Sequence, residues 1–150
     1  MSEKEKVVIS MKTFQEGDAS GFEGDSFDFV TDGEYSFSDN VGVFTYHESV
    51  VTGLAGTKTS VFVHPDKVIV EREGMMTSQM VFKEGEKCVF KYNTPYGSSA
   101  MGIDTKAIRN SFNSSGGSAE IDYILDVQHR MFLKNKLTIN VEKQGETENA

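Results

Sequence analysis

Apolar residues in this chain recur at every second position, in short runs, and nowhere at the spacing of a helix. Ile121, Tyr123, Leu125 and Val127 point one way while Glu120, Asp122, Asp126 and Gln128 point the other. Leu133, Leu137, Ile139 and Val141 then alternate with Lys134, Lys136, Thr138, Asn140 and Glu142. No segment of about ten or more residues carries a 3.6-residue period with caps. A period of two with one polar face belongs to antiparallel sheet, half buried and half wet, so the chain reads as all-β.

Turn residues divide the alternation into hairpins. Cys88, Phe90 and Tyr92 alternate with Val89, Lys91 and Asn93 until Pro95 and Gly97 break the ladder, and Met101, Ile103 and Thr105 resume it on the way back. Asp39-Asn40 is a two-residue hairpin signal, Pro65-Asp66 a turn with φ already set, and Glu84-Gly85-Glu86 a third. Val7, Ile9 and Met11 open the series, Phe27 and Phe29 follow, and Tyr35 and Phe37 continue it past Asp32-Gly33. Met75 to Lys83 reads as a strand, and Ser114 to Ser118 as a loose loop. About ten short strands joined to sequential neighbours predict a single antiparallel up-and-down β-barrel, closed to remove its edges. One domain is expected, with its core at residues 6–143 and polar ends, 1–5 and 145–150, that fray.

Several local strings, taken in order, resemble the YwiB-like family of uncharacterised bacterial proteins. They are Thr31-x-Gly33-x-Tyr35, the strand ending in Tyr92 before a Pro/Gly turn, the Thr105 strand, Ile121-x-Tyr123, and Asn135-x-Leu137-x-Ile139. The similarity spans roughly residues 6–143. It implies a calycin-like, lipocalin-resembling barrel and a bacterial protein, and it implies no reaction and no site residues.

Charge narrows the partners. The net charge is −8, and residues 1–50 alone hold 11 acids against 3 bases. No Lys/Arg cluster offers a phosphate-binding face, so nucleic acid is not an expected partner. No run of about 18 apolar residues is present, so no membrane insertion is expected. The opening MSEKEKVVIS lacks the apolar run of a signal peptide, which points to a cytoplasmic protein. The lone Cys88 shares parity with Phe90 and reads as a small core residue.

Catalytic patterns are missing where they would be looked for. Gly53-Leu54-Ala55-Gly56-Thr57-Lys58 places Thr57 where a phosphate loop needs Lys, and a strand follows it where a helix is needed. His47, His64 and His129 have no second ligand at metal spacing, so neither metal nor cofactor is expected. Tyr46-His47-Glu48 puts His47 and Glu48 on opposite strand faces, which weakens an acid–base pairing.

The informative residues are polar ones whose parity points inward. Arg72 continues the face of Val68 and Val70, Asn135 lies between Leu133 and Leu137, and His129 follows Leu125 and Val127. Such groups must be satisfied by protein, water or ligand. Arg72, Asn135 and His129 are therefore the candidate ligand-binding residues of a non-enzymatic binder. Its expected ligand is a small apolar or amphipathic molecule inside the barrel, a fatty acid being the simplest case. An acid from the first third of the chain could instead pair with Arg72. The alternative reading is an interaction or oligomerisation module that uses an outer sheet face or strand edge, and an enzyme with an unrecognised site is the third.

Overall fold

In the computed structural model, which describes residues 4–17, 25–52, 54–95, 97–127 and 131–144, the alternating runs become ten strands. They are β1 (Glu5–Gly17), β2 (Asp25–Ser38), β3 (Val41–His47), β4 (Thr57–Val63), β5 (Lys67–Gly74), β6 (Thr77–Lys83), β7 (Lys87–Thr94), β8 (Gly97–Asn110), β9 (Gly116–Val127) and β10 (Met131–Lys143). Every neighbour in sequence is a neighbour in the sheet, all pairs run antiparallel, and β1 closes the barrel by pairing with β10 as well as β2. The only described helical element is a 3₁₀ turn, Val50–Thr52. Among the described residues no helix is long and apolar enough to cross a membrane.

The turns follow their chemistry. Asp39 and Asn40 both take positive φ (55° and 65°), the backbone a tight two-residue hairpin demands. The strand expected from Met75 starts only at Thr77. Gly74 turns the chain at φ 129°, Met75 N–H donates to the Gly56 carbonyl (3.2 Å), and Met76 N–H donates to the Thr57 hydroxyl (3.2 Å). Both methionines are thus spent on the turn. The loop expected at Ser114–Ser118 is tighter too. Asn113 bridges to Gly116, its side chain accepts the Ser115 N–H (2.8 Å), and β9 has begun by Gly116.

Because the sheet is a meander, its connections fall in two sets. The β2–β3, β4–β5, β6–β7 and β8–β9 turns share one end of the barrel, and the β3–β4 and β5–β6 connections share the other. The first end is plugged. Phe112 folds in from the β8–β9 connection, stacks on Phe44 (6.2 Å, 7°) and tilts against Tyr35 (6.0 Å). Tyr35 donates its hydroxyl to the Asn113 carbonyl at 2.6 Å. Gly42 leaves the space they use, since a side chain there would meet both Tyr35 and Phe112. Val7, Ile9, Val61, Val63, Val68, Ile121, Ile139 and Val141 fill the middle at or below 2% exposure. A close-packed centre of this kind anchors the fold.

Asp126 does face outward, as its parity requires, but it is not solvated. Lys87 lies over it, Nζ to Oδ2 2.8 Å, beside Gly102, whose missing side chain leaves room for the lysine stem. Cys88 is a free thiol and half-buried.

Candidate functional site

Toward the mouth the inward positions change from aliphatic to polar. β3 continues its Phe44/Tyr46 parity one step past its end to Glu48, whose side chain is only 2% exposed. Its backbone N–H holds the Thr57 carbonyl (2.8 Å), which fixes the start of the connection to β4. Thr59, inward on β4, donates its hydroxyl to Glu48 Oε2. Arg72, inward on β5 opposite Thr59, brings its Nε to 3.8 Å from the same oxygen. That distance makes an ion pair and is too long for a hydrogen bond.

The guanidinium is poorly satisfied. Nη1 donates to the Met80 sulfur at 3.4 Å, a weak acceptor, and buried Nε has no hydrogen-bond partner among the described residues. Ser78, opposite Arg72 on β6, likewise buries a hydroxyl that has none. Around this charge pair lie aromatic rings. Tyr123 meets Phe82 edge-on at 4.8 Å, and Phe29 tilts against Tyr46 at 5.8 Å. Tyr46 donates to Met11 Sδ at 3.5 Å. Phe29, Tyr46, Arg72, Phe82, Tyr123 and Leu137 are among the residues lining a cavity of about 200 Å³ that opens at the mouth.

Burial sets the proton affinity of the phenols. It pushes the Tyr46 hydroxyl far above its usual value; the Glu48 charge adds to this, and Arg72 pulls the other way. Burial raises Tyr123 to about 12 against the same pull from Arg72. Both stay neutral donors at any physiological pH. The site therefore offers donors from Arg72 and the tyrosines, one carboxylate already engaged, and apolar walls.

The residues singled out by parity fare differently. Arg72 lines the cavity. Asn135 is buried and faces inward opposite Tyr123, but its amide is used: Gln15 Nε2 donates to its Oδ1 (3.0 Å) and its Nδ2 donates to the Leu133 carbonyl (3.0 Å). His129 lies outside the described residues. Glu48 is what sequence reasoning missed, although the alternation Phe44, Tyr46, Glu48 carried the signal. Among the described residues no three His, Cys, Asp or Glu side chains gather as a metal-binding group.

Comparison with known proteins agrees with the barrel. Residues 9–139 match the model of a family described as a domain of unknown function, DUF1934. The crystal structure of the ywiB protein from Bacillus subtilis superposes with a TM-score of 0.83 at 24% identity, covering 95% of this chain and 94% of that one. At that identity the likeness speaks for the fold. No curated protein matches the sequence.

Proposed function

The chain belongs to the DUF1934 family, and within that barrel we propose a soluble, cytoplasmic binding protein that holds a small amphipathic molecule at the mouth. The observation that carries this reading is Arg72: a guanidinium on a cavity wall with its Nε buried and without a hydrogen-bond partner among the described residues. A guanidinium has five donors in a planar fork, and leaving donors unmet in a buried site is costly. A ligand head group that accepts hydrogen bonds, a carboxylate or a carbonyl, would meet them. Phe29, Phe82 and Tyr123 supply an apolar, ring-lined seat for the body.

Size refines the ligand class. A volume of about 200 Å³ lies under the roughly 300–1,000 Å³ of drug-sized sites. A long fatty acid does not fit this space, whereas a single ring with a short acidic arm does. Glu48 already offsets the charge of Arg72, so an uncharged carbonyl competes with a carboxylate on nearly equal terms. Non-denaturing mass spectrometry tests the reading with 3-phenylpropionate and hexadecanoate. One phenylpropionate per chain with no hexadecanoate is the expected spectrum. Hexadecanoate alone, or neither acid, contradicts it.

A further inference from the structure

β2 meets its two neighbours unequally. Against β1 its register is continuous from Asp25 to Tyr35. Against β3 it holds only from Glu34 to Ser38. Among the described residues, 25–33 therefore have a ladder on one side alone, a longer open stretch than the gap between β6 and β7. Gly33 marks the parting point, since a side chain there would run into the Thr45 backbone. Beyond it, where a neighbouring strand would lie, is a slot of about 180 Å³ between Asp28, Val30 and Thr31 on one lip and His47, Ser49 and Thr52 on the other.

The side chains along this edge show what is missing. Phe27 faces inward by parity and yet is 47% exposed, with no strand among the described residues beside it on the β3 side. Val30, outward, is 67% exposed. Asp28 and Asp32 flank Val30 on the outer face, and neither has an ion-pair partner among the described residues; the Asp32 carboxylate accepts the Gln144 amide, at 2.9 Å. No Lys or Arg lines the slot; Lys12 stands across from Asp28 on β1, and Lys6 and Lys58 line a neighbouring pocket with Asp32, each without an ion pair to these aspartates.

We infer that the open edge of β2 is a docking site for an extended, basic segment of a partner protein, which adds as a strand over residues 25–33. Main-chain hydrogen bonds supply the pairing, as in other strand additions. Side chains of the incoming strand alternate between the two faces. Lys or Arg on its outer face lie across from Asp28 and Asp32, and apolar residues on its inner face cover Phe27 and Phe29. A second copy of β2 is a poor occupant, since it would set the same aspartates against one another.

The test uses the full chain, isotopically labelled, and two peptides of equal charge. One is the acetylated amide KVKVKVK, and the other is KPKPKPK, which lacks every second N–H donor and whose proline rings disfavour a ladder. Amide hydrogen exchange within residues 25–33 should slow at least tenfold with the valine peptide and not with the proline peptide. Asp28→Lys/Asp32→Lys should weaken valine-peptide binding at least tenfold. If that chain does not fold, Asp28→Asn/Asp32→Asn should weaken it about threefold. Equal binding of both peptides would reduce the effect to charge attraction and overturn the inference. Protection elsewhere, binding indifferent to both variants, or a concentration-dependent dimer that protects the same amides without peptide would overturn it as well.

Discussion

Arg72 and Glu48 place opposite charges on the inner wall of a barrel whose other inward residues are mostly apolar, and their coupling is measurable. Removing one member of a buried pair leaves the other uncompensated, which costs about 3–5 kcal/mol when both are fully enclosed. Arg72 is 19% exposed and stands 3.8 Å from Glu48, so Arg72→Met should cost less, about 2 kcal/mol by denaturant midpoint. Arg72→Met/Glu48→Met should recover most of that loss, because nothing charged is then left behind. Additive losses in the double variant would show that the two do not act as a pair. Arg72 was legible in the sequence because it continues an aliphatic face. Glu48 was equally legible by parity, but it sits where the chain leaves the ladder, and alternation loses its authority at strand ends.

Strands and hairpins were the most readable elements, since each is written in neighbouring residues: the period of two, Asp39-Asn40, Pro65-Asp66, Glu84-Gly85-Glu86. What could not be read is the spacing between ladders. β6 and β7 are joined by a short turn but pair only at Thr77–Asn93 and Ser78–Tyr92, because the turn bonds to β8 instead: Gly85 N–H donates to the Thr105 carbonyl at 2.9 Å, and Thr105 N–H to the Glu86 carbonyl at 3.1 Å. The β8–β9 register slips between Thr105 and Ala107, a bulge that no local signal announced. The Phe112 plug is non-local in the same way, being set by Gly42 and Tyr35 far away in sequence. Within β7 the parity can be tested on adjacent residues. Phe90 is 8% and Val89 72% exposed. Phe90→Ala should cost on the order of 3–5 kcal/mol through lost transfer energy and a cavity. Val89→Ala should stay within about 0.5 kcal/mol. Similar losses at both positions would mean that the strand is not held as described.

For the molecule as a whole, the interior tyrosines tie stability to alkaline pH. Burial raises Tyr35 and Tyr123 from 10.0 to about 12, and Tyr46 moves in the same direction. Their folded affinities for the proton exceed the unfolded ones, so the native state keeps protons that the unfolded chain gives up. This contribution is fully present below about pH 10 and is lost as pH rises from there toward about 12. Tyrosinate absorbance should accordingly show these three ionising together with alkaline unfolding. Ionisation of all tyrosines near pH 10 in a chain that stays folded would contradict their burial. The same mouth is the proposed seat of a small ligand, received by Arg72, whose Nε has no hydrogen-bond partner among the described residues. The most direct measurement follows the Arg72 Nε–H resonance by NMR while 3-phenylpropionate, and separately its amide, are titrated in. A saturable shift at Arg72 with a dissociation constant below about 100 μM, worth roughly 5.5 kcal/mol, and its loss in Arg72→Met are the predicted results. An Arg72 signal that stays fixed through millimolar amounts of both compounds would contradict the account.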